Sequence, residues 1–544
     1  MQMTLLSCFD GDLELVDGGW ASGDDGGWCG LFQGPKRSPR SPERAVFDLS
    51  QRETHEEEEN HSYNYLLMQR CGPNADGNNL SAGPVPRKLP FTPPKEQTRH
   101  DGIRLGSLDI FLGRWVLCKI PSMIPETAFY PIQSITWKGK VEVNLFGTRD
   151  ESYHRELKRP VANAYSLTTL LSNEAAVDSC TTLLVKKLSA HADGSQAVDF
   201  GEWIQFYTFD VVGELTFAKK LGFLDKGGDV DGMIQAIEDL LVYASQIGQI
   251  PTWHKLLMGN PLLPILIPSM EGWNKVLTFT LKAVNDVIGK SGGSGGELKQ
   301  DGEFDIENLD KKGDMLSKWF ALKLADPNKM STRDIVVHLS TNVFAGSDTT
   351  AIALRAIFYH LLKNPDKMRK LVSEIDNAVA TGLISSPVSF KESTKNLPYM
   401  QAVLKEALRI HPSVGLLLER HVPPGGATIC GKQIPEGTIV GVNAWVTQHD
   451  PDVFPNPEEF EPERWLDASE EHQKMMDQSF FAFGAGTRTC IGRHIAIMEM
   501  AKLVPEILRR FELSLANPDG EWQTKNIWFV QQEGLICKLK QRWH

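Results

Sequence analysis

No stretch of the 544-residue chain carries about 20 consecutive apolar residues, the length that crosses a bilayer as a helix. The first residues, MQMTLLSCFDGDLELVDGG, lack the basic start and long apolar core of a signal peptide and meet acid at Asp10. Basic charge is not in excess. Lys and Arg number 57 against 69 Asp and Glu, a formal net charge of −12, which argues against a general nucleic-acid binder and its basic footprint. Eight cysteines are present, at 8, 29, 71, 118, 180, 430, 490 and 537, with no CxxC pair among them. That scatter excludes a disulfide framework and suits a reducing compartment. A flavin or dinucleotide segment is also missing: the one glycine-rich stretch near a helix start surrounds Cys490. As written, the chain reads as soluble or peripherally attached to a membrane.

What is there divides unevenly. Residues 1–100 are rich in Gly, Asp, Ser and Pro, carry an acidic run at Glu56–Glu59 and show little periodicity. This composition predicts a disordered segment, the alternative being a small independent module. From about 160 the texture turns helical, through RPVANAYSLTTLLSNEAAVDSCTTLLVKKLSAH, VDFGEWIQFYTFDVVGELTFAKKLG and VDGMIQAIEDLLVYASQIGQI. NPLLPILIPSM, 260–270, is a Pro-punctuated apolar loop, and 291–314 is a flexible connector. One long helix is predicted from a cap at Ser331 to about Lys363, before Asn364-Pro365. After His411-Pro412 the chain turns to short β-like runs, GATICGKQIPEGTIVGVNAW. The prediction is a mainly α fold with a minor β region placed late.

Chemistry gathers at FAFGAGTRTCIG, residues 481–492. A cysteine thiolate can hold haem iron and push electron density onto it. A loop doing so passes close to a flat macrocycle, and Gly484, Ala485, Gly486 and Gly492 keep it thin. An amphipathic helix follows, with Ile491, Ile495, Met498, Ala501, Val504, Leu508 and Phe511 on one stripe. Its N-terminus would lower the Cys490 pKa. Phe483 can shield the sulfur, and Arg488 can pair with a haem carboxylate. The alternative is a buried structural cysteine in a Gly-rich turn.

The spacing Phe483-x-x-Gly486-x-Arg488-x-Cys490-x-Gly492 matches the haem-binding signature of the cytochrome P450 family at every fixed position. A chance match in a chain this long is on the order of one in ten thousand from average composition. Two further motifs carry the resemblance. Glu406-x-x-Arg409 puts two charges on one helix face. Four other Glu-x-x-Arg matches begin at Glu96, Glu156, Glu461 and Glu506, so position before Cys490 and before His411-Pro412 selects Glu406. In the family this pair locks to an arginine of a later segment, here Pro462-Glu463-Arg464-Trp465, with Trp in place of the usual Phe. The other motif is Ala345-Gly346-Ser347-Asp348-Thr349-Thr350, midway along the long helix. Gly, Ser and Thr there oppose helix propensity, and Thr hydroxyls can divert backbone hydrogen bonds and open a groove. It resembles the family's oxygen-activation motif, with Asp348 as acid and Thr349 as alcohol of a proton relay.

At the carboxylate end of the haem the resemblance places Arg488 and Arg420. The family's W-x-x-x-R is missing. Aligning YHRELKRPVANAYS on Ala-Tyr-Ser puts His154 at the Trp and Lys158 at the Arg, whereas aligning on Pro160 favours Arg155. The match runs from about 125 to 544, within a domain set at 101–544, and its texture is similar to filamentous-fungal enzymes related to pisatin demethylase. Residues 1–100 depart from the microsomal members of the family, which begin with a membrane helix, a Pro-rich hinge and early strands.

The resemblance implies a haem-thiolate monooxygenase with haem b on Cys490, taking O₂ and NADPH-derived electrons through a partner reductase. The substrate would be a hydrophobic small molecule of secondary metabolism or detoxification. It would touch Phe344 and Ala345, Val414–Leu418 and the turn near Trp528. Glu406, Arg409 and Arg464 would be structural. Two alternatives stand beside this reading: a haem-binding but catalytically impaired protein, and an enzyme that rearranges or dehydrates without O₂. No nucleic-acid partner is expected. The family implies an intracellular location at the endoplasmic reticulum surface. Membrane contact through NPLLPILIPSM, or a plain apolar loop, are the two readings of that segment.

Overall fold

Ser331 opens the longest element. Its hydroxyl accepts from the Asp334 amide at 3.1 Å, and the Asp334 carboxylate accepts from the Ser331 amide at 2.8 Å, a reciprocal cap. The helix then runs unbroken over Thr332–Lys363, about 48 Å at 1.5 Å per residue. It stops at Asn364-Pro365, as its sequence predicts.

A computed structural model of the chain describes residues 65–71, 103–105, 127–137, 140–258, 272–290, 313–429 and 432–542. All of them belong to one unit that starts at Tyr65. The apolar loop 260–270, all but the last two residues of the connector 291–314, Cys430 and residues 1–64 lie outside the described residues.

The long helix is the spine of the core. Ile335, Leu339, Val343, Ala351, Leu354 and Phe358 are all buried. Its main neighbour is helix Phe200–Phe217, which is apolar nearly all round and almost wholly buried, as such a helix must be. The two approach closely where Gly346 faces Val212: a Cβ on Gly346 would lie 2.9 Å from Val212 Cγ2. Helices Met233–Ile247 and Gly272–Lys290 pack on each other. Helices Glu174–Ser189, Pro398–Ile410 and Arg493–Arg510 close the core around the long helix and its neighbour. The helix after Cys490 buries Met498, Ala501, Val504 and Leu508, the predicted stripe, while Phe511 already begins a strand.

Two local expectations change. The helical texture from 160 breaks into Glu151–Val161, a 3₁₀ turn Ala162–Tyr165, Leu167–Ser172 and Glu174–Ser189. Ser166 causes one break, since its hydroxyl accepts from the Thr169 amide and starts a new helix. The sequence also hides the strand Asp193–Asp199, which pairs antiparallel with Ile536–Gln541 of the C-terminus.

The β region is minor and mostly late. A four-stranded sheet has the order Ile103–Leu105, Tyr65–Cys71, Ile439–Val442, Leu418–His421. The strand Tyr65–Cys71 thus lies inside the segment 1–100 that composition reads as wholly irregular. The hairpin Gln523–Ile527 with Phe529–Glu533 turns at Trp528, which sits at φ +86°. Its turn is sewn to the segment after His411: the Gly415 amide donates to Trp528 O at 2.8 Å and the Val530 amide to Ser413 O at 2.9 Å. That stitching brings two of the three expected substrate-contact regions, Val414–Leu418 and the Trp528 turn, to one place.

Candidate active site

One cavity meets Cys490 on one side and the middle of the long helix on the other. Its wall includes Ala345, Gly346 and Thr349, the segment Pro412–Val414, and Trp528 and Phe529 of the hairpin turn. Cys490, Phe483, Gly492, Lys158, Arg420 and Arg488 border it too. Arg155 does not; its side chain is exposed on the outer face. Gly486 sits in the cysteine loop with φ +72°, which an L side chain adopts only under strain.

The loop geometry follows from short backbone bonds. The Cys490 amide donates to Phe483 O at 2.9 Å, and the Gly484 amide to Phe481 O at 2.8 Å. The helix after the cysteine starts at Arg493. A Cβ on Gly492 would meet only Cys490 Sγ, at an unstrained 3.9 Å. The chain's own packing therefore does not demand glycine there; the bare face looks into the cavity. Cys490 is accessible from that cavity although protein surrounds it on all other sides. Cys180 and Cys537 are fully buried elsewhere.

Burial pushes the Cys490 thiol above its ordinary range. Backbone N–H groups of Gly492 and Arg493, then the charges of Arg493 and Lys158, act against it. The expected lowering by the helix start is thus present but outweighed by desolvation. A bound metal cation would reverse that balance, because it deprotonates the thiol it ligates.

A flat tetrapyrrole with one thiolate below and two carboxylates at its edge fits these residues. The cysteine side is thinned by glycine, and the cations are clustered at the rim. Lys158 Nζ donates to Thr487 O at 2.6 Å. Arg420 donates to the Tyr130 hydroxyl at 2.8 Å. Arg488 pairs with Glu151 at 2.7 Å and donates to Thr148 O at 2.9 Å. His154 is 5 % exposed, borders the cavity, and is driven to a pKa of about 3 by burial and then by Arg488 and Lys158. It is neutral and can still donate one N–H.

Asp348 and Thr349 divide across the helix. Thr349 borders the cavity, and its hydroxyl donates to Ala345 O at 2.8 Å. The hydroxyl adds to the backbone ladder and does not open it: the helix stays α throughout, so the expected groove in the helix is not formed. Asp348 points the other way and is fully enclosed. Gln205 Nε2 donates to its Oδ1 at 2.6 Å, and Gln531 Nε2 lies 3.5 Å from Oδ2. Arg355 Nη2 donates to Gln205 Oε1 at 2.9 Å. Burial raises Asp348 to about 6, against the pull of Gln205 and Arg355. Gln205 escaped the sequence reading; its signal is one amide in the apolar run WIQFYTF.

The structural triad assembles as the resemblance implies. Arg409 grips Glu406 through Nε at 2.9 Å and Nη2 at 2.8 Å, both side chains wholly buried. Arg464 Nε reaches Glu406 Oε1 at 3.0 Å. Arg409 also donates to Gln448 O at 2.9 Å. With every charge hydrogen-bonded, the buried cluster pins the segment around 459–465 to the helix Pro398–Ile410.

Known proteins resemble this chain over most of its length. The cytochrome P450 family model matches residues 119–537. Cytochrome P450 monooxygenase cicH of Emericella nidulans is 37% identical over 419 residues, 77% of this chain and 80% of that protein. Cytochrome P450 monooxygenase ACRTS1 of Alternaria alternata is 37% identical over 71% of this chain and 99% of its own. Pisatin demethylase of Fusarium vanettenii is 37% identical over 72% of each. The crystal structure of the cytochrome P450DA heme domain superposes with a TM-score of 0.60 at 16% identity, covering 80% of this chain and 87% of that one, and so supports the fold. With the cysteine loop, the buried triad and the split Asp-Thr pair already in place, the chain belongs to the cytochrome P450 family of monooxygenases.

Proposed function

We propose that the chain inserts one oxygen atom of O₂ into a hydrophobic small molecule of fungal secondary metabolism, or of detoxification. The observation that carries this reading is the placement of Thr349 on the cavity wall, across from Cys490, with the buried acid Asp348 immediately before it in the helix. Similarity to pisatin demethylase and other fungal monooxygenases supports the metabolic setting.

Bound haem would supply the iron chemistry that splits O₂. The chain's residues do the rest. Cys490 would ligate the iron, and Lys158, Arg420, Arg488 and His154 would hold the haem carboxylates. Phe344, Leu416, Trp528 and Phe529 offer an apolar wall that orients substrate and excludes water. Asp348, poised near neutral pH, can hold a proton at one oxygen on the far side of the helix, and the Thr349 hydroxyl offers a donor and acceptor on the cavity side. Gln205 and Gln531 orient the carboxyl. Electrons would come from NADPH through a partner reductase, at the endoplasmic reticulum surface where the family usually works.

The test is turnover with a partner reductase, NADPH and isotopically labelled O₂ against a panel of apolar small molecules. Labelled oxygen in a product supports the reading. A product isomeric with its substrate supports rearrangement, and haem binding with no product from any compound supports the impaired protein.

A further inference from the structure

An aromatic file leads from the cavity wall to the surface, and the oxygen chemistry above does not use it. Trp445 Nε1 donates to Pro412 O at 2.9 Å, and Pro412 borders the cavity. The Trp445 ring lies 4.9 Å from that of His411, and His411 lies 5.1 Å from Trp522. Trp522 stacks on Tyr359 at 3.7 Å and 7°. Trp445, His411 and Tyr359 are 6 %, 3 % and 5 % exposed. Trp522 is half-buried, and the four rings form one continuous contact.

The outer end is built differently from a packing contact. The Tyr359 hydroxyl donates to Glu521 Oε2, and Lys363 Nζ holds Glu521 Oε1 at 2.8 Å. The Glu521 side chain is 70 % exposed. Lys363 first, then Tyr359, keep this carboxyl below its usual range, so it is ionised at neutral pH. Burial holds His411 neutral, with a pKa of about 4, so no fixed charge interrupts the file.

Indole and phenol are the side chains that give up an electron most readily by passing it between touching rings. A phenol does so at ordinary driving force only when its proton has a base to go to. Glu521 is that base, already hydrogen-bonded and open to water.

We propose that Trp445, His411, Trp522 and Tyr359 form an electron relay that drains surplus oxidising equivalents from the haem site to the surface. This rests on the haem reading of Cys490. Per oxidising equivalent, one electron moves inward along the rings, and Tyr359 is left as a neutral radical. Its phenolic proton moves to Glu521, which returns it to water. A solution thiol restores the phenol by giving one electron and one proton, and two thiyl products pair as a disulfide. The relay protects the enzyme when oxidation begins without a substrate to receive it.

The haem-loaded protein, mixed with hydrogen peroxide without substrate and frozen rapidly, is read by electron paramagnetic resonance. The expected result is a tyrosyl radical that Tyr359→Phe abolishes while keeping the ring stack. Glu521→Gln, a surface change that cannot unfold the core, should diminish it, and both variants should lose haem absorbance to peroxide faster. The same radical in Tyr359→Phe, or none in the unaltered protein, would overturn the relay. The reduced, CO-bound spectrum separates the two readings: an intact thiolate band with no radical overturns the relay alone, and an absent band overturns both.

Discussion

Trp465 donates its indole N–H to Glu406 Oε2 at 2.9 Å. The usual residue at this position is Phe, so the exchange adds a donor to a carboxylate that already takes Arg409, Arg464 and the Glu461 amide. Lys405 lies over the outer face of the same ring at 4.0 Å.

Trp465→Phe restores the familiar side chain yet removes a hydrogen bond to a buried charge. We expect a loss of about 1.5–3 kcal/mol, read as a lower midpoint in urea unfolding with unchanged slope. Equal midpoints would mean that the indole merely fills space.

Asp348 predicts a pH signature. Its folded pKa is about 6 against an ordinary 3.8, so folding favours the protonated form. The stability it contributes is complete below the unfolded pKa and is lost as pH rises through 6. The size is on the order of 3 kcal/mol across two units. Asp348→Asn removes this dependence. The melting temperature of the unaltered protein should therefore fall relative to the variant's between pH 4 and 6. The buried histidines slope the other way in both proteins and cancel in the difference. Product formation by Asp348→Asn should drop by about 100-fold, the lower end of general acid catalysis.

Lys158 and Arg155 separate cleanly. Lys158 borders the cavity and Arg155 faces outward. Lys158→Ala should weaken haem retention by roughly 10–100-fold, the worth of one charge-assisted hydrogen bond, in competition with a haem scavenger. Arg155→Ala should match the unaltered protein. The reverse pattern would favour the alignment on Pro160.

Gly346 sits where the two central helices touch. Alanine there gains helix propensity of about 1 kcal/mol but drives a methyl against Val212, at a cost of about 1–3 kcal/mol. We expect Gly346→Ala to be neutral or destabilised in thermal melts, and Gly346→Ala with Val212→Ala to recover stability.

Much of this site is written locally, and local features are legible. The cysteine loop, the Ser331 cap and the Glu406–Arg409 pair each fit within a few residues, so spacing alone exposes them. Partners brought by the fold are not. Gln205 reaches Asp348 across 143 positions, and Glu151 reaches Arg488 across 337. The strand Asp193–Asp199 is invisible because Asp, Gly, Ser and Gln have little β preference, and only pairing with the C-terminus makes it one. The Cys490 pKa shows the same limit. A helix start can be read from sequence, whereas the burial that outweighs it is a property of the whole core.

The central claim is that Cys490 ligates haem iron. The direct measurement is the absorption spectrum of the reduced, CO-bound protein, for the unaltered chain, Cys490→Ala and Cys180→Ala. A Soret band at the thiolate-ligated position is expected in the first and third, and its loss in Cys490→Ala. A thiolate band that survives Cys490→Ala, or one that never forms in the unaltered protein, would contradict that claim.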